Sequence, residues 1–121
     1  MAVELYRPFV IAGGLSGALA IAAYAASAHS GSSHLGTVAP LLLAHAPALL
    51  VFALLAPGRM TARLGGWITL LGLVLFCGDL VMRDMTGARL FPYAAPTGGT
   101  LMILGWLIIA FIGLMKRKAA A

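Results

Sequence analysis

The chain has few charges for its length, and very few of them are acidic. Its 121 residues include eight Lys and Arg, three Asp and Glu and one cysteine, and 62% of them are hydrophobic. Soluble domains are typically about 25% charged and about 45–50% apolar, so this composition is that of a membrane protein. One cysteine excludes an internal disulfide and a thiolate metal site. The net charge of +5 is not gathered into one broad stripe, so we expect no nucleic-acid partner.

Four apolar segments are long enough to cross a bilayer, which takes about 20 residues. Because lipid offers the backbone no hydrogen-bond partner, such segments form helices. The breaks between them are short and carry turn residues, which makes consecutive helices antiparallel. We therefore predict an all-α membrane protein, with residues 1–121 forming one domain of four transmembrane helices in an up-down-up-down bundle. The predicted helices cover residues 8–28, 38–56, 64–82 and 97–115.

The first segment also has the features of a secretory signal. Arg7 precedes an apolar run, and the small residues Ala26, Ser27 and Ala28 resemble a cleavage site. Cleavage there would leave three helices. The segment is longer than a usual signal core and is rich in Gly and Ala, so we interpret it as a retained helix.

Small residues form two rows on the first predicted helix. Gly13 and Gly17 make a GxxxG pattern, and beside it Gly14, Ala18 and Ala22 follow one another at four-residue spacing. Small faces let membrane helices approach closely. The rows predict close packing within the bundle, and the alternative is a docking face for another protein.

Strongly polar groups within the apolar segments are few, and counting along the helices places them in the half of the membrane opposite the termini. Asp79 and Arg83 are four residues apart, the spacing of an ion pair on one helix face. Pro47 leaves the carbonyl of Leu43 without its N–H donor, so His45 could bond there or meet Asp79, and we expect it to make a structural hydrogen bond. At about 1.5 Å per residue, Asp79 lies about 5 Å and His45 about 10 Å below the ends of their helices. The candidate cluster consists of His29, His45, Asp79, Arg83 and Thr97.

Two roles remain open for this cluster besides a structural one: Asp79 could handle protons or ions, and His45 could bind a ligand. Thr97 is expected to cap the fourth helix. No nucleophile motif, phosphate loop or pair of carboxylates is present, and His29 and His34 lack zinc-site spacing. We expect no enzymatic activity, metal or cofactor. A basic run suits contact with anionic lipid and consists of Lys116, Arg117 and Lys118.

Four stretches of the chain carry a family resemblance. They are Gly17-Ala18-Leu19 leading to Ala28-His29, residues 44–50, residues 75–80 with Thr86-Gly87, and residues 95–99 leading to Gly105-Trp106. In order and spacing they resemble the domain of unknown function 423 family, which includes transmembrane protein 256-like proteins. The resemblance implies a four-helix integral membrane protein without assigned chemistry. That family often has a non-proline residue in place of Pro47 and Ser in place of Asp79. The Ser favours an Asp79–Arg83 ion pair that is specific to a subgroup over a proton-carrying role common to the whole family.

We therefore expect a structural or accessory subunit that docks to a larger inner-membrane assembly, respiratory or photosynthetic. Its expected partners are membrane lipids and other membrane-protein subunits or further copies of itself. The alternative is a component of a solute, ion or proton transporter or channel that acts as an oligomer.

The basic residues predict the orientation of the chain. Six of the eight lie on the side of both termini, and only Arg83 and Arg89 lie on the other. Basic loops stay in the cytoplasm, so both termini should be cytoplasmic in a bacterial inner membrane. Green fluorescent protein fused to the C-terminus should fluoresce, and alkaline phosphatase should be active when fused at Gly87 but not at the C-terminus. The reverse pattern of activities would contradict the predicted orientation.

Overall fold

Four α-helices make up most of the protein. The computed structural model describes residues 2–31 and 34–115, and it contains no strand within those ranges. All four helices are long and apolar enough to cross a membrane, so the predicted all-α architecture is confirmed. The basic run at 116–118 lies outside the described residues. The helices are α1 (Arg7–Ser30), α2 (Leu35–Leu55), α3 (Met60–Thr86) and α4 (Ala94–Ile112).

The helix ends differ from the predicted bounds by one turn or less. α3 continues through Thr86, one turn beyond the predicted end, and stops at Gly87, which has a φ of 75°. Glycine adopts this left-handed conformation without steric cost and so ends helices. α4 begins at Ala94, and its first turn already includes Thr97. The expectation that Thr97 caps α4 is therefore wrong, because the preceding Ala94 and Ala95 are already helical.

The helices pack as two antiparallel hairpins. α1 lies along α2 and α3 lies along α4, and the hairpins are joined mainly where α2 meets α3. The largest buried apolar side chains include Phe9, Leu49, Phe52 and Leu73. Phe9 connects α1 to the second hairpin, because its ring lies directly against Gly66 of α3. Further along the two helices, a groove lined by both of them lies between α1 and α3.

The closest helix approach is between α3 and α4, where glycine lies at the contact on both helices. A Cβ on Gly98 would lie 2.6 Å from the backbone nitrogen of Phe76, and one on Gly72 would lie 2.5 Å from the carbonyl oxygen of Gly98. Gly105 makes the same kind of contact with Thr69. Membrane helices gain their packing energy from such close approach of backbones. The small residues that bring helices closest are thus on α3 and α4, although the sequence pointed to α1.

Replacing Gly98 by Ala is expected to loosen the second hairpin. The added methyl group would collide with backbone atoms that cannot rotate away, and overpacking of this kind costs about 1–3 kcal/mol. The melting temperature of the purified protein in detergent should fall. Gly99→Ala is the matched control, because its Cβ would lie 3.9 Å from the nearest side chain and Ala favours a helix over Gly. Equal melting temperatures for the two variants would contradict this account.

Candidate functional site

Asp79 lies fully buried in α3 and accepts two hydrogen bonds. Nη2 of Arg83 donates to its Oδ2 at 2.6 Å, and the backbone N–H of Leu90 donates to its Oδ1 at 2.9 Å. The ion pair expected from the spacing is therefore present. The second bond was not foreseen, because Leu90 lies in the connection between α3 and α4. Asp79 thus ties that connection to the helix that precedes it.

The polar side chains lie deeper than counting along the sequence suggested. α3 extends to Thr86, so Asp79 lies about 10 Å from its end at 1.5 Å per residue. α2 begins at Leu35, which places His45 about 15 Å from that end and at the middle of the helix. A carboxylate at such depth is costly unless it is paired. The Nε of Arg83 is buried and has no hydrogen-bond partner within the described residues.

His45 connects α2 to α4 rather than to Asp79. Nε1 of Trp106 lies 3.1 Å from Nε2 of His45, and Nδ1 of His45 lies 2.9 Å from the carbonyl oxygen of Leu41. The indole N–H only donates, so Nε2 accepts, and the remaining proton is on Nδ1, which donates to the carbonyl. The expected structural hydrogen bond exists, but its acceptor is Leu41 and not Leu43. Because both ring nitrogens are engaged, neither is free to bind a metal or haem.

The five predicted residues do not form one cluster. His29 and Thr97 are exposed, and within the described residues no hydrogen bond joins either of them to Asp79 or His45. A different pair lies at that end of the molecule: His34 Nδ1 and Asp84 Oδ1 are 2.5 Å apart and link the start of α2 to the end of α3. Both residues lie near helix ends on one side of the membrane, and that shared position is the only sequence signal for this pair.

No metal centre is evident in the described part of the chain. Across residues 2–31 and 34–115, no three His, Cys, Asp or Glu side chains lie close enough together to hold a metal ion. The hydrogen bonds described above join helices to one another or to a connection.

The two rows of small residues on α1 have different surroundings. Gly13 faces α2, where a Cβ on it would lie 3.0 Å from the carbonyl oxygen of Ala46, and Gly17 lies beside the same residue. Gly14 and Ala18 are exposed, as is Ala22, and a Cβ on Gly14 would meet nothing within 4 Å. Packing within the bundle accounts for the first row. In the described part of the chain, no helix lies against the second row.

A groove of about 610 Å³ runs between α1 and α3 with α2 at its base. Its lining is almost entirely apolar, and the polar exception is Ser16 of α1, which is only 6% exposed. A second cleft of about 430 Å³ lies between α2 and α4 beside His45 and Trp106. Neither opening brings together the groups needed for acid–base or nucleophilic chemistry.

Comparison with known proteins places these features in a wider context. A sequence profile described as "Protein of unknown function (DUF423)" matches residues 16–99. The UPF0382 membrane protein SERP0230 of Staphylococcus epidermidis is 28% identical over 112 residues, which cover 85% of this chain and 92% of the relative. The UPF0382 membrane protein YwdK of Bacillus subtilis is 34% identical over 68 residues, covering 54% of this chain and 55% of the relative. A UPF0382 membrane protein of Haemophilus influenzae is 34% identical over 76 residues, which cover 62% of this chain and 60% of the relative. No solved structure matches the chain.

Removing the carboxylate of Asp79 is expected to destabilise the fold. Asp79→Ala leaves Arg83 without its counter-ion and the N–H of Leu90 without an acceptor. We expect a loss of about 3 kcal/mol in the free energy of unfolding, the low end for a broken buried pair because Arg83 is partly exposed. Denaturant titration in detergent micelles, followed by circular dichroism, measures it.

The double variant Asp79→Ala with Arg83→Met is the control for that measurement. It should recover part of the loss, because no charge is then stranded, while Leu90 still lacks its acceptor. A double variant no more stable than Asp79→Ala would show that the ion pair is not the cause.

Proposed function

The chain belongs to the DUF423 family of membrane proteins of unknown function, and on that premise we propose that it is a structural or accessory subunit that docks to a larger assembly in the bacterial inner membrane. Membrane proteins from Staphylococcus, Bacillus and Haemophilus are among its relatives, which supports a bacterial membrane as its location. The proposal rests on one surface, the exposed row of small residues on α1.

Within residues 2–31 and 34–115, no other helix packs closely against this row. Gly14, Ala18 and Ala22 are exposed although their neighbours Gly13 and Gly17 already provide the close contact with α2. In membranes, small residues gather where another helix approaches, because close backbone contact replaces the hydrophobic effect as a source of binding energy. The second row therefore fits a helix from another subunit.

The exposed face of α4 offers a contrast. There the exposed side chains are large and apolar, with Ile103 at 65%, Leu107 at 62% and Phe111 at 56% exposure. Large aliphatic and aromatic side chains are what lipid contact favours. α1 also exposes large apolar side chains, with Ile11 at 62% and Leu15 at 58%, so lipid contact fits both helices and only the row of small residues distinguishes α1.

The transporter alternative gains no support from the polar groups. Asp79 bonds to Arg83 and Leu90, whereas His45 bonds to Leu41 and Trp106. The two side chains thus belong to separate networks, each of which joins structural elements. A path for ions or protons would need polar groups that follow one another across the membrane.

Placing a large side chain on the exposed row should block docking without unfolding the protein. Gly14→Leu adds bulk where a Cβ meets nothing within 4 Å, so the melting temperature should stay close to that of the wild type. Native electrophoresis of membranes solubilised in mild detergent should show loss of the large complex. Gly14→Ala keeps the residue small and should retain it.

Two results would count against this proposal. A Gly14→Leu protein that still migrates in the large complex at the wild-type level would show that this row is not the docking surface. A wild-type protein that migrates without any other protein would remove the accessory role itself.

A further inference from the structure

Three arginines lie together at the end of the bundle where α1 and α3 begin and α2 ends. Arg59 and Arg63 both donate to the carbonyl oxygen of Ala56, the first through its backbone N–H at 3.1 Å and the second through its side-chain Nε at 3.1 Å. The guanidinium of Arg63 also lies over the ring of Tyr6, 5.5 Å from the ring centroid, and Arg7 follows Tyr6 directly in the chain. We call Arg7, Arg59 and Arg63 the arginine cluster.

Within residues 2–31 and 34–115, no acid pairs with the arginine cluster. The ion pairs of Asp79 and Asp84 both lie toward the opposite end of the bundle. Glu4, the remaining acid of the chain, forms no ion pair with any described residue. Three positive charges thus stand against one negative charge at this end, and such an excess attracts an anion.

Arg63 is held in position and still has donors to spare. Its Nε bonds to Ala56 and one face of its guanidinium rests on Tyr6. Both Nη groups bond to nothing in the described part of the chain, and neither is buried. A guanidinium carries five N–H donors in a rigid fork that matches the oxygens of a phosphate group. Because the side chain is already oriented, it loses little conformational entropy when it binds such an anion.

Aromatic side chains indicate that the arginine cluster lies at the level of the lipid headgroups. The indole N–H of Trp67 donates to the hydroxyl of Tyr6 at 3.1 Å, and Trp67 is 44% exposed. It lies one turn further into α3 than Arg63. Trp and Tyr are enriched at the boundary between hydrocarbon and water, where an apolar ring and a polar tip are both satisfied. The phosphate of a phospholipid headgroup is the anion that a bilayer supplies at this level.

We propose that the arginine cluster binds the headgroup phosphate of an anionic phospholipid in the leaflet next to the start of α1, which is the cytoplasmic leaflet in the orientation predicted from the sequence. Arg63 binds the phosphate oxygens through its Nη groups, and the exposed Arg7 and Arg59 add positive charge beside it. A zwitterionic headgroup also carries a cation, which the three arginines repel, so the site prefers anionic lipid. The inference uses no residue of the exposed row on α1, so it and the accessory role can fail separately.

Native mass spectrometry of the protein purified in detergent tests the site by titration with phosphatidylglycerol, an anionic lipid, and with phosphatidylcholine, a zwitterionic one. Wild type should bind one phosphatidylglycerol more tightly than phosphatidylcholine. The Arg59 side chain makes no hydrogen bond or ion pair with a described residue, so Arg59→Gln should fold normally. It should bind phosphatidylglycerol about fivefold more weakly, the effect of one basic residue near an anionic surface. Arg89→Gln is the matched control, because Arg89 is also exposed but lies at the opposite end of the bundle, and it should bind like wild type.

Arg63→Lys separates a fitted phosphate site from a general attraction by charge. Lysine keeps the charge but lacks the planar fork, so the affinity for phosphatidylglycerol should fall about tenfold, as expected when one hydrogen bond between charged groups is lost. Wild-type affinity in this variant would overturn the site, and so would equal affinities of Arg59→Gln and Arg89→Gln. Excess inorganic phosphate should leave the lipid complex intact. Displacement of the lipid by inorganic phosphate would overturn the lipid as the ligand and show that a soluble anion binds there.

Discussion

The absence of water at hydrocarbon depth is the constraint on which the rest of this structure depends. Each polar group that the four helices carry into the membrane must find its partner within the protein. Asp79 does so with Arg83 and Leu90, and His45 does so with Leu41 and Trp106. These bonds also join parts that would otherwise touch only through apolar contacts: a connection to its helix, and one hairpin to the other. Polar groups that look like an active site in the sequence therefore hold structural elements together.

Close approach of helix backbones at glycines also holds the bundle together, and it differs between the two hairpins. α3 and α4 meet at Gly72 and Gly98, where a single methyl group would collide with backbone atoms. α1 meets α2 through Gly13 but keeps an equally small row exposed. Four helices have little interior to fill, so the small residues that face outward support the proposed contact beyond the chain.

The proposed function lies on the surface of the bundle rather than in a pocket of reactive groups. The described acids and histidines that lie deep in the helices are already hydrogen-bonded, and removing them is expected to lower the stability of the fold. Along α1, a row of small residues has no neighbouring helix within the described residues. That row supports the proposed contact with a helix supplied from outside the chain.

The sequence by itself determined the four helices, their approximate ends and the pairing of Asp79 with Arg83, because hydrophobic length and four-residue spacing are local properties. Only the tertiary structure decided that Trp106, 61 residues away, bonds to His45, that His34 meets Asp84 across 50 residues, and which glycine row faces α2. The physical reason is that these helices are apolar on nearly every side. A helix without a polar face gives no sign of its rotation about its own axis, so the packing of its neighbours sets which residues meet.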